Sequence, residues 1–344
     1  MLPRIGITMG DPAGVGPEII VGAWPEPAVH ACCQPLVLGR PAVLRRAAAL
    51  WGSRAEVVLI RSPEEAEPSP AVIPCLVCGS AEADEAPPCR IDARAGQAAY
   101  DALTAAARLA LDGRLDAITT APLHKESLHK AGWNYPGHTE LLAEICGVTD
   151  FAMMLFLGPG EPLRSPSGLA VVHVTLHTAL RNVFDELNGQ GVLAKARLAD
   201  RFMARIKGSR PRIAVAALNP HGGEGGLFGQ EEQTIIRPAV EEGLAEGLLL
   251  DGPLPIDTLM VHARDGKYAA VVAMYHDQGH IALKLLGMHR AVNVTLGLPI
   301  VRTSVAHGTA FDLAWKAQAQ TSSLVEALRV AARLAQGRQG VVGG

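Results

Sequence analysis

Three histidines stand where short apolar runs end. ALNPHGGEGG, from Ala217, delivers His221 between an Asn-Pro pair and a glycine cluster; AVVHVTLHTALR delivers His177; YAAVVAMYHDQGH delivers His276. A single imidazole after an apolar run is most often a packed or surface residue. Three of them at the ends of parallel strands would converge on one edge of a sheet. Three neutral imidazoles there can share a divalent cation and leave positions open for a substrate. The glycines after His221 let backbone and ligand approach closely, and Asp277, directly after His276, is placed to orient a ring. Asp257, in GPLPIDTLM, adds a carboxylate just after a turn, suited equally to capping a helix and to catalysis.

A second set has the chemistry of an anion site. GHTE, from Gly137, opens a helix with His138 and Thr139; Lys284 follows His276 by eight residues; Asn293 and Arg302 belong to AVNVTLGLPIVRTS, read as one strand with its flanks. Helix N-terminal amides, a hydroxyl, a lysine and an arginine are what a phosphate monoester attracts. Each of these taken alone also fits a solvated face. Lys284 in IALKLLG and Arg302 in LPIVRTS have apolar neighbours, however, and a buried cation needs a partner, which favours a ligand.

The elements that must position these groups are legible as β-rich runs: RIGIT, QPLVLG, AEVVLI, LDAITTAP, FAMMLFLG, LAVVHVTLH, PRIAVAALNP, YAAVVAMYH and AVNVTLGLP. Amphipathic or alanine-rich stretches such as GQAAYDALTAAARLALDG lie between many of them. Strands apolar on both faces and spaced by helices imply an α/β chain with a largely parallel sheet covered on two sides. At 344 residues, two lobes are expected. The proline-rich, acidic stretch 62–90 reads as a surface excursion with an edge strand in AVIPCLV, and GPGEPLRSPSG, from Gly158, as a loop too long for a tight hairpin. SSLVEALRVAARLAQG reads as a helix that glycine closes.

Composition narrows the function. Charged residues are 19% of the chain, the net charge is -3, and no block of one sign tracks a nucleic-acid backbone, so no nucleic-acid partner is expected. No apolar run spans a bilayer and MLPRIGITMG lacks a signal-peptide layout, which predicts a cytoplasmic protein with no membrane partner. Six cysteines in a chain of this length read as free thiols, and the lone CxxC of Cys75 and Cys78 as packing. GDPAGVGPEII follows the first strand but has neither GxGxxG nor a terminal Gly-Lys. It reads as a tight turn with Pro17 opening a helix, and Asp11 sits at a strand end where α/β sheets place ligands.

In order along the chain, GDPAGVGPE, TTAPLHKE, PGHTE, VTLH, LNPHGGEGGLFG, YHDQGH, NVTLGLPIVRTS and HGTA resemble the 4-hydroxythreonine-4-phosphate dehydrogenase family, from about residue 4 to 335. The resemblance implies an isocitrate/isopropylmalate dehydrogenase-like fold of two α/β lobes with an active-site cleft between them. On that reading residues 1–137 plus 294–344 form the cofactor lobe, and 138–293 form the lobe of metal, substrate and dimer contacts. It implies a homodimer whose subunits share each active site. His177, His221 and His276 would bind a divalent metal, zinc foremost with magnesium, cobalt or manganese as alternates, one histidine coming across the dimer. His138, Thr139, Lys284, Asn293 and Arg302 would hold a phosphorylated substrate. NAD, or NADP, would be met by Thr295, His307, Gly308 and Thr309. Where the family continues with Gly-Lys or Gly-Arg-Gly, this chain has Trp315, Lys316 and Ala317, and the segment there is expected to pack differently.

The implied chemistry is oxidation of an alcohol to a β-keto acid that then decarboxylates, with Asp257 and Lys125 as candidates for proton handling. Substrates compatible with the family are 4-hydroxythreonine 4-phosphate, 4-phosphorylated threonate or erythronate, and a carboxylated cis-dihydrodiol. The phosphate set argues against the last. A metal-dependent phosphatase or hydrolase would use the same three histidines without NAD.

Overall fold

A computed structural model describes residues 1–339. Its strands are β1 (Arg4–Thr8), β2 (Gln34–Gly39), β3 (Glu56–Ile60), β4 (Val72–Val77), β5 (Ala117–Thr120), β6 (Ala152–Leu157), β7 (Leu169–His173), β8 (Arg212–Ala216), β9 (Leu249–Leu254), β10 (Ala270–Ala273), β11 (Ala291–Leu296) and β12 (Arg302–Val305). Helices separate most of them, and the class is α/β as the apolar runs implied. Contacts group the chain into two units, Met1–Thr149 with the segment from Leu298, and Asp150–Gly297. These divisions fall later than 137/138 and 293/294. The helix His138–Cys146 buries Leu141 and Leu142 in the first unit's core beside Ala102 and Ala106, and β11 stays whole in the second.

In the first unit the order is β3-β4-β2-β1-β5-β12, all parallel. AVIPCLV forms β4, but β3 takes the edge. Pro74 is tolerated inside the sheet because pairing with β2 begins only at Cys75, so its missing N–H removes no rung on that side. Polar β12 escaped the apolar pattern although all four of its residues are buried. Its hydroxyls are satisfied internally: Thr303 Oγ1 lies 2.9 Å from Thr119 Oγ1 and 2.9 Å from the Ala327 carbonyl. The helix Ser322–Gln339 runs through Gly337 rather than closing there.

In the second unit the order is β11-β6-β7-β10-β8-β9. Only β6 runs against its neighbours, pairing antiparallel with both β11 and β7, because the long loop after Gly158 reverses the chain. β7 and β10 are buried at every residue, as strands covered on both faces should be. β9, LLDGPL, carries Gly-Pro and no alternation, which hid it from a pattern reading. AVNVTLGLPIVRTS is two strands in different units rather than one. Gly297, at φ 88, ends β11 in a conformation that favours glycine, and a Cβ there would lie 2.2 Å from the Asp150 carbonyl.

Candidate active site

β7, β10 and β8 are adjacent and parallel, so their C-terminal ends share one edge of the second unit. The three candidate histidines all follow that edge. His177 and His276 line one open pocket of about 500 Å³ with Leu176, Tyr275 and Asp277, and their ring centroids are 6.1 Å apart. His276 opens the helix His276–Gly287, and its Nδ1 donates to Asp277 Oδ1 at 2.6 Å. That bond leaves Nε2 as the atom with a lone pair, the arrangement in which a carboxylate prepares an imidazole for a cation. His221 is not brought to the other two. Among the described residues no three His, Cys, Asp or Glu side chains are placed to hold a metal.

The reason lies in the loop that carries His221. Residues 221 to 226 all have positive φ: 54, 71, 77, 41, 71 and 104 degrees in order. Four of the six are glycine, and the two that are not, His221 and Glu224, each bear a cost of roughly 1–2 kcal/mol for a side chain in that region. Their side chains meet: His221 Nδ1 donates to Glu224 Oε1 at 2.8 Å, and the ring stands edge-on to Phe228. The base of the loop is pinned by buried Glu232, which accepts from the Leu218 and Asn219 amides at 2.8 and 2.7 Å and from Asn219 Nδ2 at 3.0 Å. Burial alone would raise the Glu232 carboxyl, but these bonds hold it below its ordinary value.

Two histidines not singled out by sequence support the pocket from below. His280 and His173 are buried, and the His280 ring lies on that of His276, centroids 3.8 Å apart and planes within 10°. His280 Nδ1 faces the His276 carbonyl at 3.2 Å, an atom that only accepts, so Nδ1 carries the hydrogen and His173 Nε2, 3.1 Å away, accepts as well. Burial first, then neighbouring imidazoles, push His173 down to about 3; burial, then His276, push His280 to about 4. Both are neutral. The helix approaches β7 this closely because residue 279 is glycine: a Cβ would lie 2.6 Å from His173 Nε2. Gln278 ties the strand ends together, accepting from the Met274 amide at 2.7 Å and donating to the Ala217 carbonyl at 2.8 Å. The i, i+4 spacing of His276 with His280 and of His173 with His177 was the available signal.

The first unit places His138 and Arg302 near one another. Arg302 is 2% exposed and donates from Nη2 to Thr120 Oγ1 at 2.7 Å. Burial pulls its guanidinium down to about 9, with Glu140 opposing, so it remains charged at neutral pH. His138 begins its helix and Thr139 follows, both half-buried. Burial and then the Arg302 charge push His138 well below its ordinary value, against the Ala121 carbonyl, so the ring is neutral. A buried cation beside a neutral imidazole at a helix N-terminus suits a phosphate oxygen.

The HGTA segment packs on the GDPAGVG turn of the same unit. The Val15 amide donates to the Thr309 carbonyl at 3.0 Å, and a Cβ on Gly14 would meet Thr309 at 2.9 Å. Thr309 is buried, His307 is exposed, and a Cβ at Gly308 would meet nothing within 4 Å, leaving room on that side. Trp315 and Ala317 take φ of 60 and 52 degrees, the left-handed conformation glycine adopts freely. Fully buried Glu18 holds them there, accepting from the Trp315 and Ala317 amides, while the Arg46 guanidinium lies 4.1 Å over the Trp315 ring.

Of the remaining candidates, Asp257 is exposed in the first turn of the helix Ile256–Arg264 and accepts from the Thr258 amide at 2.8 Å, as a helix-start residue does. Lys125 is exposed at the start of the helix Lys125–Lys130. In the second unit Lys284 is half-buried, Thr295 buried, and the buried Asn293 Oδ1 has no hydrogen-bond partner among the described residues. All six cysteines are free, and burial pushes Cys75 up to about 12 and Cys78 to about 11.

The second unit thus carries paired imidazoles at a parallel-sheet edge, and the first carries a buried arginine beside a neutral imidazole. The chain belongs to the family described as Pyridoxal phosphate biosynthetic protein PdxA, whose match covers residues 31–331. It is 45% identical over 333 residues to a D-threonate 4-phosphate dehydrogenase of Salmonella typhimurium, covering 96% of this chain and 98% of that one. It is 46% identical over 343 residues to a 4-hydroxythreonine-4-phosphate dehydrogenase of Trichlorobacter lovleyi, covering 98% of each. The crystal structure of a 4-hydroxythreonine-4-phosphate dehydrogenase from Klebsiella pneumoniae superposes with a TM-score of 0.87 at 46% identity, covering 97% of this chain and all of that one.

Proposed function

We propose that the protein is an NAD- or NADP-dependent, divalent-metal-dependent dehydrogenase. Its substrate is a 4-phosphorylated four-carbon hydroxy acid, 4-hydroxythreonine 4-phosphate or threonate/erythronate 4-phosphate, oxidised at CH–OH to a β-keto acid that loses carbon dioxide. The observation that carries this reading is the pairing of His177 with carboxylate-oriented His276 in one pocket, in a chain whose relatives are dehydrogenases named for such substrates. The donor set fits a metal in part: two imidazoles face one concavity, and a third, His221, has its Nδ1 engaged and Nε2 available. His221 of a second copy would supply the third nitrogen, and the working enzyme would then be a homodimer. No described helix is long and apolar enough to cross a membrane.

A bound divalent cation, zinc foremost, supplies Lewis-acid polarisation that lowers the hydroxyl pKa, and NAD supplies the hydride acceptor. The chain does the rest. Asp277 and Asp257 or Lys125 divide the orienting and proton-accepting work: Asp277 holds the His276 ring, and one of the other two takes the hydroxyl proton as the C–H hydride departs. In the first unit, Arg302, His138 and Thr139 would receive a phosphate, and the HGTA segment, through His307, Gly308 and Thr309, would meet the dinucleotide. In the second unit, Lys284 and Asn293 are candidate substrate contacts and Thr295 a candidate cofactor contact. The β-keto acid then releases its carboxylate as carbon dioxide, and the resulting enolate is protonated.

The test is a screen of both phosphorylated acids and their unphosphorylated counterparts with NAD and with NADP. NADH or NADPH formation with a phosphorylated acid alone supports the reading. Release of inorganic phosphate without reduced cofactor overturns it in favour of a phosphatase.

A further inference from the structure

We propose that Glu224 is a positioning residue for His221: its carboxylate fixes the imidazole as the Nδ1–H tautomer and so leaves Nε2 with the lone pair a cation needs. The cation's presence rests on the metal-dependent reading above; the tautomer does not. Six successive residues in the left-handed region would be easiest to build entirely from glycine. The sequence departs from glycine at two of the six, and those two side chains are the pair that meets at 2.8 Å. A ligand role would by itself account for His221. It does not account for Glu224, whose carboxylate is about half exposed and has no other partner among the described residues. The strained conformation at Glu224 therefore returns one thing, a carboxylate closed back on Nδ1 three residues earlier.

Two further features fit this assignment. Glu232 anchors the start of the loop through the Leu218 and Asn219 amides, and a Cβ at residue 223 would lie 2.7 Å from Glu232 Oε2, so glycine at that position serves the packing of the loop's base. The frame is thus fixed from one side by Glu232, and the ring from the other by Glu224. His276 has the same arrangement on a helix rather than a loop, Nδ1 on Asp277 at 2.6 Å. A carboxylate behind a ligating imidazole sets ring orientation and raises the basicity of the free nitrogen, and its loss typically weakens metal affinity by about 10–100-fold.

The test uses the full-length protein, metal-free, with nitrogen-15-labelled histidine. Nuclear magnetic resonance should show His221 as the Nδ1–H tautomer in the wild type, and Glu224→Gly should shift it toward the Nε2–H form that a free imidazole favours. Glu224→Asp and Glu224→Gln should restore the Nδ1–H form in part. Zinc affinity, measured by competition with a chelating dye, should fall about 10–100-fold in Glu224→Gly while urea stability stays equal or rises, because glycine takes the left-handed conformation without cost. The opposite directions separate positioning from a structural role. An unchanged tautomer in Glu224→Gly, or zinc affinity that falls only in step with stability, overturns the assignment. A tautomer shift in a protein that binds no zinc in any form supports the assignment and defeats the metal-dependent reading instead.

Discussion

The ring of His280 lies flat against that of His276, one helical turn away, with centroids 3.8 Å apart, while its Nδ1 reaches back to His173 Nε2 at 3.1 Å. The pocket imidazole therefore rests on a buried, neutral histidine pair rather than on solvent or aliphatic packing. His280→Ala removes the stacked surface and leaves the His173 acceptor unpaired, and a loss of about 2 kcal/mol of stability is expected from the cavity and the lost bond. His280→Phe, which keeps a flat ring beneath His276, should lose less. Urea denaturation of the two variants checks this; equal losses would mean that stacking contributes nothing.

Asp11 is fully buried, and burial raises its carboxyl from 3.8 to about 6, opposed by the Ala13 amide and Ser127 and assisted by Asp92. A raised folded value means the native state holds the proton more tightly than the unfolded chain. The contribution is whole below pH 3.8 and is lost as pH rises through about 6. The full span is worth about 3 kcal/mol. Asp11→Asn should remove this slope and leave the variant more stable than the wild type at neutral pH. Stability curves of equal slope across that window would contradict the assignment.

Glu232 has the opposite sign. Its folded value is depressed, so its contribution is present above the ordinary 4.5 and is lost as pH falls below it. Glu232→Ala strands the Leu218 and Asn219 amides together and should cost about 3 kcal/mol. It should also release the His221 loop, seen as faster amide exchange at residues 219–224. An unaltered exchange pattern would show that the loop is held by other contacts.

On the proposed function, Arg302 is the cation on which phosphate recognition would depend most. Arg302→Ala should lower kcat/KM for a phosphorylated substrate by about 100-fold, the worth of charge-assisted hydrogen bonds to a buried guanidinium. Arg302→Lys should recover part of that through charge alone, and neither change should alter the response to an unphosphorylated acid. Steady-state rates with the paired substrates measure it; equal losses for both would assign Arg302 to folding alone.

Apolar runs fixed most of the frame in advance. Nine of them became β1, β2, β3, β5, β6, β7, β8, β10 and β11; most are apolar because both faces are buried, while edge strand β3 exposes three of its five residues. β12 and β9 were missed for physical reasons: the first satisfies buried hydroxyls against its neighbours, and the second is interrupted by Gly252 and Pro253. The reversal of β6 left no mark in its own residues; it is set by the path of the loop that follows. Within the site, His177 and His276 were legible as strand-end histidines, and their common pocket follows from adjacent parallel strands. The separate position of His221 was not, since periodicity carries no sign of the left-handed turn that six positive φ angles impose. Nor were Glu18, Glu224 and Glu232 readable, because a carboxylate's partners depend on which distant amides the fold brings to it.

Chelation tests the central claim most directly. Protein freed of metal by chelator and buffer exchange is assayed for NADH formation from a 4-phosphorylated four-carbon hydroxy acid, then reassayed after zinc, magnesium, cobalt or manganese is returned. The expected result is turnover that disappears on stripping and comes back with at least one divalent ion, and that His177→Ala and His276→Ala cannot recover. A stripped enzyme that oxidises its substrate at the untreated rate would contradict the account.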